Sequence, residues 1–346
     1  MKRICIIGHF AINKDIHNGQ TIKTKVIADA LAKHFGLSET LIEDTHGKWK
    51  FLLRLPIIII RSLSRSKHVI IMPAYKGIFF IAPLLYLTNL LFKRHLHYVV
   101  IGGWLPSYTQ RYALLRYTLR HYHHIYVETA SMKHHLDTQG FSNVIVMPNC
   151  KPLDILHPQY LPTLSTPPYK LCIFSRIIKE KGIEDAINAV KQSNNYFKRT
   201  VYLLDIYGQI EQKEWFNQIM GTQPKEISYK GIVPYNKSTE ILYTYFALLF
   251  PTYYRGEAFA GTLIDAMAAG LPTIASDWHA NPELVKEGVT GFLFPTHSVE
   301  ALTQLLIQYA QHPDKIQSLR LSCLRKAHQY LPETALTPLF NNLNQL

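Results

Sequence analysis

Short apolar runs rich in Val and Ile recur along this chain, each closed by a glycine, proline or polar turn and followed by a helical stretch. In the first half the strands are Arg3 to Gly8, His68 to Met72, His97 to Ile101, Tyr126 to Thr129 and Val144 to Met147. In the second they are Lys170 to Phe174, Val201 to Tyr207, Ile227 to Val233, Leu248 to Pro251 and Pro272 to Ser276. Helical spacing lies between them: Ile22, Val26, Ile27, Ala30 and Leu31, then Ile183 to Val190, Tyr235 to Tyr245, and a last segment from Val299 with Leu302, Leu305, Leu306 and Tyr309. Ser131 reads as the cap of a helix that runs to Thr138 and ends at Gly140. Parallel strands need a crossover to return, and a helix supplies it. The alternation therefore predicts the α/β class with two doubly wound parallel sheets. With 346 residues there is chain enough for two domains. The proline-rich run from Lys151 to Pro168 reads as a linker, so the expected domains are 1–150 and 169–346, with the last helix free to pack back on the first domain.

Charge separates the two halves. Residues 1–150 carry 19 Lys and Arg against 7 Asp and Glu, and the remainder is almost balanced, so nearly all of the +13 net charge sits in the first half. Twelve of the 17 histidines are there as well, and mild acid would make that half more cationic still. Such a field favours an anionic partner, and a lipid headgroup or a lipid-linked diphosphate suits it. No nucleic-acid motif accompanies the charge, so nucleic acid is not an expected partner. Cys5, Cys150, Cys172 and Cys323 lack paired spacing and read as reduced core residues.

Between Trp49 and Arg94 the chain is unusually apolar, but Pro73, Lys76, Pro83 and Asn89 break the longer run. A spanning helix wants about 20 clean residues, so a helix, a strand and a second helix are expected here instead. Arg54, Arg61, Arg65, Lys67, Lys93 and Arg94 flank the apolar surface, the pattern of a peripheral membrane face. Met1-Lys2-Arg3 is basic, but the apolar run after it stops at Gly8, so no signal peptide is expected. The cluster His121, His123, His124, His134 and His135 lacks zinc-ligand spacing and reads as a solvated basic surface.

Most of the chemistry is concentrated in FPTYYRGEAFAGTLIDAMAAG, from Phe250 to Gly270. A strand ends at Pro251, a polar loop follows, and a helix starts near Gly261. Glu257 stands in the loop and Asp265 two turns into the helix, a spacing that lets two carboxylates face one extended ligand. Between them Phe259, Ala260 and Gly261 offer backbone N–H groups at a helix N-terminus, which suits phosphate or a sugar ring. Earlier, Ser175 to Gly182 (SRIIKEKG) places Arg176 and Lys181 in the loop after another strand, chemistry suited to a diphosphate.

These two stretches resemble the Glu-x7-Glu and GRxxxxKG segments of GT-B glycosyltransferases of the GT4 family. Asp265 stands where the second acid is usual, and Ser175 where the first glycine is usual. The resemblance implies a GT-B fold whose two domains face a central cleft, and sugar transfer from a nucleotide sugar, UDP- or GDP-linked, with retention at the anomeric carbon. It assigns the diphosphate to Arg176 and Lys181, the donor sugar to Glu257 assisted by Phe259, Ala260 and Gly261, and the ribose to Asp265. It also places Gly208 and Ile232 on the donor nucleotide and Gly19 with Gln20 near its phosphates. Glycines replace a histidine common in the family at the end of the His97 to Ile101 strand, which leaves Gly103 and Trp104 as acceptor-side candidates. No Asp-x-Asp occurs, so neither an essential metal nor a cofactor is expected. The acceptor implied is a glycan or lipid-linked sugar of surface-polysaccharide assembly, at the cytoplasmic face of the membrane. A nucleotide-sugar epimerase on the same fold and a non-catalytic membrane-binding protein stay open as alternatives.

Overall fold

The computed structural model describes residues 2–12, 19–46, 49–73, 77–163, 166–234 and 237–344, with the side chains of 49, 50 and 52 excepted. Asn18, Lys76 and Tyr235, which the sequence reading placed at a loop end, in an apolar run and at a helix start, lie outside them. Two compact units emerge: Met1–Pro152 with Tyr330–Leu346, and Leu153–Gln329. The first unit begins with β1 (Lys2–Gly8), α1 (Gly19–Phe35), β2 (Thr40–Asp44), α2 (Trp49–Arg65), β3 (Ser66–Met72) and α3 (Ile78–Phe92). It continues through β4 (His95–Val99), α4 (Leu105–Arg111), α5 (Ala113–Arg120), β5 (His124–Val127), α6 (Ala130–Asp137) and β6 (Val144–Val146). The second unit opens with β7 (Tyr169–Phe174), α7 (Ile183–Phe197), β8 (Tyr202–Tyr207), α8 (Lys213–Met220), β9 (Ile227–Gly231) and α9 (Ser238–Leu242). Then come β10 (Ala247–Phe250), α10 (Gly261–Ala268), β11 (Thr273–Ser276), α11 (Asn281–Leu284), β12 (Gly291–Phe294) and α12 (Val299–Gln311). After α13 (Pro313–Gln317) and α14 (Arg320–Ala327), α15 (Pro332–Ala335) and α16 (Thr337–Asn344) return the chain to the first unit.

Each unit holds one six-stranded sheet, ordered β2-β1-β3-β4-β5-β6 and β12-β11-β10-β7-β8-β9, with parallel pairing throughout. Strand order reverses between β1 and β3 in the first sheet and between β7 and β10 in the second. Loops leaving neighbouring strands at such a point diverge to opposite faces and open a crevice at the carboxyl ends. The crevice of the second sheet lies between the loop after β7 and the loop after β10. These are the two loops in which Arg176, Lys181 and Glu257 were recognised.

Burial follows the two-residue period of each strand. Cys5, Ile7, Val69 and Ile71 enter the core under α2, α3 and α5, while Ile4, Ile6, Ile70 and Met72 enter the core with α1, α15 and α16. Leu171, Ile173, Leu204 and Ile206 pack with residues of α7 and α12 in the second unit. All four cysteines are buried thiols.

Several local expectations are corrected. Strands β2 and β12 were not read from sequence. β2 is an edge strand carrying Thr40, Glu43 and Asp44, and β12 is a four-residue run that looks like part of a turn. Thr129, not Ser131, caps α6, its Oγ1 accepting from the Met132 N–H at 3.1 Å. The proline-rich segment is partly packed: the Leu156 N–H donates to the Ala268 carbonyl at 2.9 Å. Helix α1 buries Thr21, Lys23 and Thr24 alongside Ile27, Ala28 and Leu31. Lys23 is tolerated there because its ammonium pairs with buried Glu128 and donates to the Val100 carbonyl at 3.0 Å. His123 is exposed and His124 half-buried, but their rings cluster with those of His68, His95 and His97 near the amino-terminal ends of β3, β4 and β5. Among the described residues no helix is long and apolar enough to cross a membrane.

Candidate functional site in the second unit

The loop after β7 is shaped by two glycines. Gly182 (φ +70°) opens α7 where a side chain would stand 2.1 Å from the Pro251 carbonyl oxygen. Gly208 (φ +141°) lies so close to Ser175 that an added Cβ would come within 1.7 Å of its carbonyl oxygen. Only glycine allows both backbone approaches, which draw the loops after β7, β8 and β10 together. The contact is reinforced where the Tyr253 N–H donates to the Glu180 carbonyl at 2.8 Å and Thr262 Oγ1 donates to the Phe174 carbonyl at 2.9 Å.

Three of the expected site residues meet in this crevice. Buried Lys181 and largely buried Glu257, their side chains 8% and 10% exposed, form a direct ion pair, and Thr252 Oγ1 donates to the same Glu257 Oε2 at 3.0 Å. Both hydrogen bonds converge on Oε2, which leaves Oε1 able to accept from a ligand hydroxyl. The ammonium also lies 5.6 Å from the Tyr254 ring centroid and 5.5 Å from that of Phe250. Arg176 is half exposed, donates from Nη1 to Glu211 Oε1 at 3.2 Å, and its guanidinium carbon lies 5.3 Å from the Tyr254 ring centroid. Partial burial works against its charge, but the Tyr254 hydroxyl and Glu211 outweigh this and hold the guanidinium more firmly protonated. A ligand phosphate can displace an exposed carboxylate partner such as Glu211.

Helix α10 starts beside this cluster. Phe259 and Ala260 are buried and Gly261 opens the helix, while no side chain caps its first N–H groups. Asp265 is buried on the same helix. Gly208 follows β8, with its carbonyl accepting from the Tyr229 hydroxyl at 2.8 Å, and Ile232 projects from the loop after β9 at 67% exposure.

The remaining candidates belong to the first unit. Gly19 and Gln20 open α1, and Gly103 and Trp104 follow β4 and lead into α4. Sequence reasoning missed Glu211, Thr252, Tyr254 and His279. His279 adopts φ +47° next to Trp278, whose Nε1 donates to the Tyr254 carbonyl at 2.9 Å. Burial holds its imidazole below the usual range, against the pull of Glu257. Tyr254 and Thr252 stand inside the singled-out stretch and could have been read with it; Glu211 stands 35 residues from its partner and gives no local signal.

A cavity of about 540 Å³ lies near the amino-terminal ends of β8 and β9, lined by Lys191, Asn194, Lys198, Arg199 and Glu226, and contains none of these groups. Among the described residues no cluster of His, Cys, Asp and Glu is arranged to hold a metal ion.

Residues 162–323 match the family model described as glycosyl transferases group 1. The GtfA subunit of a UDP-N-acetylglucosamine–peptide N-acetylglucosaminyltransferase from Streptococcus pneumoniae is 27% identical over 49% of this chain and 33% of its own. The amylovoran biosynthesis glycosyltransferase AmsK from Erwinia amylovora is 26% identical over 42% of this chain and 36% of its own. The chain thus spans about a third of the length of the curated relatives it matches. Among solved structures, HepE from Anabaena in complex with UDP superposes with a TM-score of 0.76 at 15% identity, covering 100% of both chains. Residues 162–323, just under half of the chain, thus match the glycosyl transferases group 1 model, and the two parallel sheets are those of the GT-B fold.

Proposed function

We propose that this protein is a retaining glycosyltransferase of the GT4 type that moves a sugar from a UDP- or GDP-sugar to a glycan or lipid-linked sugar of surface-polysaccharide assembly. The observation that carries the reading is the meeting of Arg176, Lys181 and Glu257 between β7 and β10. In the transfer, the bond from the anomeric carbon to the diphosphate oxygen breaks as the bond to the acceptor oxygen forms, and the acceptor hydroxyl's proton passes to the departing diphosphate. Negative charge grows on the departing diphosphate, and fixed cations in a partly dry crevice stabilise it. Arg176 takes that charge on exchanging Glu211 for phosphate, and Lys181 adds to it while orienting Glu257. Glu257 Oε1 accepts from a hydroxyl of the donor sugar, and Asp265 holds the ribose. With two cations doing this, the chemistry needs no metal, and activity should survive a chelator.

Nucleotide choice is supported by the HepE structures, which hold UDP and UDP-glucose, and the acceptor class by the name of AmsK, an amylovoran biosynthesis enzyme. Work on a lipid-linked acceptor would place the protein on the cytoplasmic face of the membrane, as a peripheral protein drawn by the charge of residues 1–150. The test is a thermal-shift screen of UDP, GDP, ADP and CMP and their sugar conjugates on the parent and on Arg176→Ala. Ligand at about 100 times its Kd should add roughly 2.7 kcal/mol of stability. One nucleotide family should stabilise the parent and not the variant; a parent that responds to none loses the transferase reading.

A further inference from the structure

The first unit leaves an apolar face without a partner. Helix α3 (IFFIAPLLYLTNLLF) carries no charge on any side. It buries Ile78, Ile81, Ala82 and Leu85 against the sheet and turns Phe80, Leu87, Leu90 and Leu91 outward, Leu91 at 85% exposure. Helix α2 does the same: Leu55, Ile58, Ile59 and Leu63 face the core, while Leu53, Ile57 and Ile60 form an exposed stripe at a spacing of four and three. Leu114 and Tyr117 extend the surface on α5, where Tyr117 meets Tyr86 of α3 edge to face at 6.2 Å between centroids.

Cations border this surface. Arg54, Arg61 and Arg65 recur at seven and four along α2, beside the Leu53–Ile57–Ile60 stripe. Arg61 is half exposed and paired with Glu43 at 3.2 Å. Lys93 follows α3, and Arg94 donates to the Leu63 carbonyl at 3.0 Å, which ties the carboxyl ends of α2 and α3 together. From Thr45 to Val127 the chain contains twelve Lys and Arg and not one Asp or Glu. A protein interface intermixes both signs and loses charge at its centre, whereas apolar side chains bordered by one sign of charge suit acyl chains beneath anionic headgroups.

We infer that the exposed face of α2, α3 and α5 is a docking surface for an anionic lipid bilayer. Leu53, Ile57, Ile60, Phe80, Leu87 and Leu91 enter the headgroup boundary, and Arg54, Arg65, Lys67 and Lys93 stay with the phosphates. The inference deepens the reading of a lipid-linked acceptor and rests on it for the choice of a lipid partner.

The experiment is co-sedimentation of the full chain with vesicles of phosphatidylglycerol and phosphatidylcholine, or of phosphatidylcholine alone, in low and high salt. The parent should pellet with the anionic vesicles, and raised salt should release it. Leu87→Ser with Leu91→Ser, and separately Arg54→Gln with Lys93→Gln, should each weaken binding about tenfold or more. All four positions are outward-facing or set on helix ends, so melting temperatures should stay with the parent. The inference is overturned if the parent stays in the supernatant, if both pairs bind as the parent does, or if the chain is a dimer that Leu87→Ser with Leu91→Ser converts to monomers without vesicle binding. Nucleotide binding, measured without vesicles, separates the two readings: lost vesicle binding with intact nucleotide response removes this surface alone, and the converse removes the transferase.

Discussion

Lys181 and Glu257 were assigned from sequence to two different parts of a ligand, and the structure pairs them with each other. Both side chains are largely withdrawn from water, so removing one partner leaves the other desolvated and unpaired. Glu257→Ala should therefore cost about 3 kcal/mol of stability in addition to activity. Glu257→Gln keeps one acceptor oxygen for Lys181 and Thr252 but no charge opposite the ammonium, so it should lose less stability than Glu257→Ala while kcat/KM falls about a hundredfold or more. Lys181→Met with Glu257→Leu should recover most of the stability lost in Glu257→Ala and none of the turnover. Denaturant titration and steady-state rates on the three variants check this, and equal activity loss without any stability difference would contradict the pairing. Arg176 behaves differently because it is half exposed and its partner Glu211 is exposed as well, so Glu211→Ala should leave stability within about 0.5 kcal/mol.

Elements were more legible than their edges. Runs such as ICII, VIIM and LCIF announce buried parallel strands because both faces of the sheet are covered. Edge strands β2 and β12 escaped notice, since one carries polar groups and the other is too short to show a period. The glycines of the site were noticed as loop residues, but their role depends on a neighbour distant in sequence. Gly182→Ala would drive a methyl group into the Pro251 carbonyl at a positive φ, and Gly208→Ala would do so against Ser175. Each should destabilise the second unit by about 2 kcal/mol or more and abolish the nucleotide response. Gly19→Ala, with open space around the added methyl and helical backbone, should do neither. Calorimetry with and without UDP distinguishes these outcomes.

At the scale of the whole molecule, charge and histidine content are concentrated in the first unit, but their arrangement was not readable. Burial lowers His68 to about 4, helped by His95, Arg3, His123 and Lys67, and lowers His123 to about 4, helped by His95 and His124. His97, buried between His68 and the ring of His124, is held well below its ordinary range. These groups are neutral in the fold and take up protons more readily when it unfolds. Their contribution is therefore fully present above about pH 6.5 and is lost as pH falls toward 4. The melting temperature of the first unit should drop steeply across that interval. His68→Phe should flatten the slope, and a pH-independent melt between 4 and 6.5 would refute the account.

The amino-acid order by itself determined the alternation of strand and helix, the two-sheet class, the placing of Arg176, Lys181 and Glu257 on loops at strand ends, and the one-signed charge of residues 45–127. These are properties of a residue and its near neighbours, which a periodicity or a motif can register. Tertiary structure alone decided that β7 lies beside β10, that Lys181 reaches Glu257 across 76 positions, that Lys23 finds Glu128, and that five histidine rings on and beside three strands cluster together. It also decided which sides of α2 and α3 the sheet would leave uncovered. Each of these follows from strand order, which the cooperative burial of both faces of the sheets selects and which no local stretch of chain encodes.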